Sequence, residues 1–279
     1  MSVNSTIKTI NAGTNCFLLQ AEGGFVLIDT GVAHKRAAVE RELRDAGSGA
    51  GDLKVMVLTH GDFDHAGNGA FLRRKYGAPI AMHPNDAGMV WRGDMSHSGK
   101  TKPDRITTMG RVIVAMGRLT TLVTPGDFDC FSPDRYLEDG QSLSEYGFDA
   151  KVLHLPGHSR GSIGVLTPEG ELFCGDFVYN FFRPNQVWID DLAAARAGVE
   201  RLKTLGVRTV YPGHGRSFPW EKFVRKHACH PVRSRPSGPF VGDGATNGDR
   251  SLRHTGGITH QPRATRIGRE QPRRWLGVG

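Results

Sequence analysis

Residues 57–68, VLTHGDFDHAGN, place His60, Asp62, Asp64 and His65 within six positions, directly after an apolar run. Imidazoles and carboxylates are the ligands of zinc, iron and manganese sites. Loops just past buried strands are where α/β folds keep their chemistry. In an extended segment alternate side chains share one side, so His60, Asp62 and Asp64 are expected to face one place. Gly61 allows a bend, and His65 follows at once. Three later stretches repeat the arrangement: LHLPGHSRGS brings His158, LFCGDFVYN brings Asp176 and TVYPGHG brings His214. Each follows an apolar run and stands beside Gly or Pro-Gly. A single such residue would pass as structural, but four stretches of this kind together point to a metal centre.

The elements that must carry these residues alternate along the chain. Residues 5–10, 15–20 and 24–29 read as short strands punctuated by Gly and Asn. Residues 33–47 space Ala37, Val39 and Leu43 among charges at helical intervals and stop at Gly47. LKVMVLT (53–59) is nearly continuous in apolar residues, as a buried strand is. A helix over 68–76, a strand over 79–82 and a helix opening near HPND (83–86) follow. Further strands are expected in 148–155, 162–167 and 171–175. A helix over 190–206, capped by Asp190 or Asp191, leads into a strand at 208–211. This alternation gives mixed sheets flanked by helices. Residues 89–133 break it, with polar loop around one amphipathic piece at 111–122. An excursion of that length inside a regular pattern is expected to be a lid, with Trp91, Met95, Phe128 and Phe131 giving it an apolar grip.

The net charge of +8 is unevenly placed. Residues 229–279 hold nine Arg, no Lys and three acids, and with nine Gly, five Pro and few apolar residues they read as a disordered tail. Residues 1–228 are nearly neutral, which argues against nucleic acid as a partner. No apolar run is long enough to span a bilayer, and the start lacks the pattern of a secretory signal, so a cytoplasmic protein with a small-molecule substrate is expected. Cys16, Cys130, Cys174 and Cys229 form no CxxC pair and read as reduced thiols, and no GxSxG elbow is present.

Across about residues 5–228, from VLIDTG to YPGHG, the chain resembles the metallo-β-lactamase-fold superfamily, whose signature is HxHxDH followed by a His, an Asp and a final His. The resemblance implies an α/β fold, an αββα sandwich of two mixed sheets flanked by helices. It also implies two divalent metal ions, zinc by default with iron or manganese admitted. One would be held by His60, Asp62 and His158 and the other by Asp64, His65 and His214, with Asp176 bridging. Two ions side by side bring the pKa of a water between them down to roughly 7. The implied activity is hydrolysis of an ester, thioester or lactone-like carbonyl by that metal-bridging hydroxide, with Asp64 and Asp176 as the catalytic carboxylates and Asp64 orienting the nucleophile. Asp62 stands where most members have His. With two divalent ions, three carboxylates and a hydroxide the centre sums to neutrality, which suits harder ions and leaves an iron-dependent redox enzyme as the alternative. A nuclease or a non-catalytic binding protein ranks below both. Asp29 matches either a supporting acid or a turn cap. His83 and His154 read as structural, Ser159 and Ser162 as fixing the His158 turn, and Tyr179, Asn180 and Phe181 as candidates to line the substrate site.

Overall fold

The computed structural model describes residues 7–95, 103–112 and 128–228. The strand β4 (Leu53–Val57) shows how the layers arise. Val55 and Val57 face one side and Met56 the other, and all three are fully buried, so this strand needs apolar cover on both faces. It lies inside a six-stranded sheet of order β1 (Ile7–Asn11), β2 (Asn15–Ala21), β3 (Gly24–Ile28), β4, β5 (Ile80–Met82) and β7 (Arg135–Tyr136). The β1–β2–β3 meander is antiparallel, whereas β3, β4, β5 and β7 pair in parallel. The helices α1 (Arg36–Asp45) and α3 (Gly69–Tyr76) supply the crossovers. A second sheet has the order β13 (Phe218–Pro219), β12 (Thr209–Pro212), β10 (Glu171–Gly175), β9 (Ile163–Leu166) and β8 (Lys151–His154), with β10 and β12 parallel.

Three apolar clusters fill the layers. Leu18, Leu27 and Met56 pack on one face of the first sheet with Val39 and Leu43 of α1 and Leu72 of α3. Phe17, Val26, Val55, Val57, Ile163, Val165 and Phe173 lie between the sheets. Leu153, Leu172 and Val210 pack with Val199 and Leu202 of α5 (Leu192–Leu202) and with Trp220 and Phe223 of α6 (Trp220–Ala228). The result is the expected αββα sandwich of two mixed sheets. Asp191 caps α5 by accepting the N–H of Ala194 at 3.0 Å. The sequence pattern misses α6 and the two-residue strands β7, β13, β6 (Arg105–Ile106) and β11 (Trp188–Ile189), which are too short to show a period.

Within the expected lid, α4 (Pro84–Arg92) carries Trp91, which is exposed, as is Met95 beyond it. Phe131 is instead buried in the first cluster with Phe128 against it, so these two rings pack the segment down rather than line a pocket. Most of the amphipathic piece at 111–122 and the tail from 229 onward lie outside the described residues. No helix among the described residues is long and apolar enough to cross a membrane. Cys16 and Cys174 are buried free thiols and Cys130 an exposed one.

Phe173 is fully buried between the sheets, with ring centroids 5.1 Å from Phe17 and 4.8 Å from Tyr211. Phe173→Ala is expected to cost about 3–5 kcal/mol of unfolding free energy, read from urea denaturation. A loss below about 1 kcal/mol would contradict this inter-sheet core.

Candidate metal centre

His60 follows β4 with its ring buried, and Asp62 is extended with φ −67° and ψ 145°. The chain does not stay extended beyond it, as the sequence reading expects. The carbonyl of Asp62 accepts the N–H groups of His65 and Ala66 at 3.0 and 2.8 Å, which winds Phe63–Ala66 into one helical turn, α2. Asp64 and His65 therefore reach the site from a helix, and His60 and Asp62 from a strand end. His158 lies between β8 and β9, Asp176 directly after β10, and His214 just past β12. Thr59 O accepts the N–H of Ile163 at 2.8 Å and Gly213 O that of Asn15 at 2.7 Å, so these ends of the two sheets are tied together where the seven residues meet.

Those seven side chains converge. His158 Nε2 and His60 Nε2 are 3.2 and 3.5 Å from Asp62 Oδ2. His214 Nε2 and His65 Nε2 are 3.2 and 3.9 Å from Asp64 Oδ2. Asp176 reaches both groups, with Oδ1 3.2 Å from His65 Nε2 and Oδ2 3.5 and 3.9 Å from His214 and His158 Nε2. The potential ligand atoms fall into three overlapping triplets, His60–Asp62–His158, His60–His65–Asp176 and Asp64–His65–His214, each within 4.8 Å. Gly213 makes room for this approach, because a Cβ there would lie 2.5 Å from His65 Cε1 and 2.6 Å from Asp176 Oδ1.

Supporting groups orient the rings. Asp29 follows β3 with φ of 58°, a left-handed conformation uncommon outside glycine. Its Oδ1 accepts the N–H of Thr59 at 2.8 Å, and its Oδ2 lies 2.8 Å from both the Thr59 hydroxyl and His65 Nδ1. With the one hydroxyl proton of Thr59 given to Asp29, His60 Nδ1 at 3.0 Å donates to Thr59 Oγ1. In their neutral forms both rings then carry the proton on Nδ1 and turn the Nε2 lone pair inward, the tautomer a metal requires. On the other side, Asn15 Nδ2 donates to the carbonyls of Pro212 and Gly215 at 2.9 and 2.7 Å, and Thr14 Oγ1 to that of Gly213 at 2.7 Å, fixing the turn that bears His214. The sequence reading treats Asn15 as punctuation and gives Thr14 and Thr59 no role, since contacts across some 200 residues for Thr14 and Asn15, and 30 for Thr59 to Asp29, leave no local pattern. Tyr179 donates to Asp176 Oδ2 at 2.7 Å and stacks on the His214 ring at 5.6 Å. Phe181 stacks on Tyr179 and is exposed, and Asn180 is buried and donates to the Arg216 carbonyl. His83 and His154 stack on each other at 4.1 Å. His83 caps α4 and His154 Nε2 meets the Arg160 carbonyl, both structural tasks.

The electrostatics of the site favour added positive charge. Burial by itself would raise the pKa of Asp62, Asp64 and Asp176, yet the facing histidines, His60 for Asp62, His65 for Asp64 and His214 for Asp176, hold each below its usual value. Burial would likewise lower His65, His158 and His214, but Asp29 above all for His65, Asp62 for His158 and Asp176 for His214 raise them. Among the described residues, every ion pair of Asp62, Asp64 and Asp176 is to a histidine. His60 Nε2 and Asp176 Oδ1 remain buried without any hydrogen-bond partner, which is rare in a folded protein. A set of four imidazoles and three carboxylates with orphaned inward atoms fits divalent metal ions.

A family model described as the metallo-beta-lactamase superfamily matches residues 11–214. The chain belongs to that superfamily. Among curated proteins, hydroxyacylglutathione hydrolase GloC of Haemophilus influenzae is 29% identical over 168 residues, 59% of this chain and 66% of that protein, just under two thirds of its length. The acyl-coenzyme A thioesterase MBLAC2 of Gallus gallus is 29% identical over 222 residues, 76% of each chain. The solved structure of TTHA1623 in a di-iron-bound form superposes with TM-score 0.57 at 26% identity, over 79% of this chain and 97% of that one. Members of this superfamily bind divalent metals, and the matched residues 11–214 span all seven residues of the His and Asp triplets.

Stripped of metal, the cluster must hold itself together with protons. His158 is raised from the usual 6.5 to about 9, so its stabilising contribution is complete below 6.5 and disappears as the pH climbs through about 9. The lowered carboxylates contribute above their usual 3.8 and lose that contribution as the pH falls. Chelator-stripped protein is therefore expected to melt at its highest temperature between about pH 4 and 6.5 and at a clearly lower one above about pH 9. A melting temperature flat across that range would contradict the arrangement.

Proposed function

We propose that this metal-dependent hydrolase of the metallo-beta-lactamase superfamily cleaves a thioester, using two divalent ions. The observation that carries the two-ion part is the convergence of seven side chains into three overlapping triplets, the one of His60, His65 and Asp176 linking the other two. The thioester part is supported by GloC and MBLAC2, whose names share that bond. His60, Asp62 and His158 would hold one ion and Asp64, His65 and His214 the other, with Asp176 between them. When bound, such ions polarise a carbonyl oxygen and make a water acidic enough to ionise near neutral pH.

The chain's own residues account for the rest. Asp64 and Asp62 are 23% and 18% exposed where Asp176 is 5% exposed, so Asp64 is open to an incoming water and would accept its proton and aim it, the role the family resemblance implies. Asp176 is held on Oδ2 by Tyr179 and keeps Oδ1 turned inward. Asp29 and Thr59 fix two of the four rings, which leaves little to reorganise when the carbonyl is attacked. Phe63 and Phe181 are exposed beside these groups in the chain and give an acyl group an apolar approach. Residues 1–228 form the catalytic unit of this proposal, acting on a small molecule in the cytoplasm, with zinc, iron or manganese as the metal.

Asp62 and the di-iron-bound relative favour one second reading, oxidation chemistry at iron. Purification without chelators, followed by metal analysis and assay on S-acylglutathiones, acyl-coenzyme A esters, oxygen esters and lactones, separates the two. Thioester hydrolysis abolished by chelation and restored by divalent metal is expected. Asp176→Ala is expected to lower kcat/KM by more than the roughly 10–100-fold that loss of an outer support costs. Hydrolysis confined to oxygen esters or lactones would overturn the thioester assignment, and oxygen consumption by iron-loaded protein without hydrolysis would put the redox reading first.

A further inference from the structure

Asp86 sits in the first turn of α4, wholly buried, and plays no part in the mechanism above. Its Oδ2 accepts the N–H of Gly61 at 3.2 Å and the hydroxyl of Ser159 at 2.6 Å, and its Oδ1 accepts the N–H of Gly161 at 2.7 Å. Gly61 lies between His60 and Asp62, and Ser159 follows His158. One carboxylate thus ties the loop bearing two residues of the His60–Asp62–His158 triplet to the loop bearing the third, 96 residues further on. Ser159 and Ser162 extend the tie, with their hydroxyls 2.7 Å apart and the Ser159 N–H donating to Ser162 Oγ at 3.0 Å. A buried carboxylate is costly unless its oxygens are satisfied, and here three donors from two loops satisfy them.

The surrounding backbone is shaped to this contact. A Cβ at Gly161 would fall 2.6 Å from Asp86 Cγ, and one at Gly61 would fall 2.8 Å from Met89 Cβ one turn along the same helix. An acidic residue in the first turn of a helix ordinarily serves that helix's own N–H groups. The Asp86 carboxylate is held instead by Gly61, Ser159 and Gly161 on other loops, which is how a strut behaves. The Asp64–His65–His214 triplet has different supports, Asp29 on His65 and the Thr14–Asn15 turn behind His214.

We propose that Asp86 is a positioning residue for one metal site only, setting the separation between His158 and the His60–Asp62 pair while leaving the Asp64–His65–His214 site untouched. The inference rests on the two-ion reading above. Cobalt(II) titration of metal-stripped protein, followed by its visible absorption and by mass spectrometry, tests it without reference to turnover. Wild type is expected to take two equivalents. Asp86→Asn is expected to keep one at unchanged affinity and to bind the second about 10–100-fold more weakly. Ser159→Ala, which removes one arm of the strut and leaves the carboxylate, is expected to move the same site in the same direction. In a His214→Ala background Asp86→Asn is expected to weaken the remaining ion, and in a His158→Ala background to leave it unchanged. Equal weakening of both ions, or two equivalents at wild-type affinity in Asp86→Asn and Ser159→Ala alike, would overturn the role of Asp86 while the two-ion reading stands. Wild type that takes up no cobalt would remove the two-ion reading, and this inference with it.

Discussion

Three carboxylates crowded into one space largely closed to water repel one another and lose their hydration, and the rest of this structure depends on how that is offset. Asp62, Asp64 and Asp176 receive no Lys or Arg among their ion pairs in the described residues, only histidines. A fold that assembles such a set, then orients the imidazoles with Asp29 and Thr59, is arranged for cations that arrive from outside the chain. In the metal-free protein, protons on the histidines take that place. That is the physical basis for metal uptake being coupled to proton release.

The sandwich serves this requirement by rigidity. Two sheets meet with Phe17, Phe173 and Tyr211 between them, and the ends of β4, β10 and β12 deliver His60, Asp176 and His214 from a closely packed frame. The turns that follow are pinned from the opposite sheet through the Thr59, Ile163, Asn15 and Gly213 backbone groups. Positions set this way need little adjustment on binding. That matters because a site misplaced by about 1 Å can lose a factor of about 100 in rate. Asp62, where the family resemblance expects a histidine, sets a negative charge beside His60 and His158, which bears on which ion the site prefers and on how tightly an anionic product is held.

How much of this was legible in the chain follows from what is local. The strands 15–21, 24–28 and 53–57 announce themselves by apolar runs, and α5 by its period and Asp191 cap, because period and capping are short-range properties. His60, Asp62, Asp64, His65, His158, Asp176 and His214 stand out by residue type beside Gly or Pro after apolar runs, and the structure brings all seven together. What stayed hidden is long-range or very short. The helical turn at Phe63–Ala66 depends on the Asp62 carbonyl rather than on any pattern, and β6, β7, β11 and β13 have two residues each. Thr14, Asn15 and Asp86 act through partners far along the chain, and of the two roles the sequence leaves open for Phe128 and Phe131, lid grip or packing, only their surroundings select packing.

The most direct measurement of the central claim is anomalous X-ray scattering from crystals grown with zinc, manganese or iron(II). Two peaks are expected, one among His60, Asp62 and His158 and one among Asp64, His65 and His214, with Asp176 contacting both. A single ion held by other residues, or no anomalous peak among these seven at any of the three metals, would contradict the account.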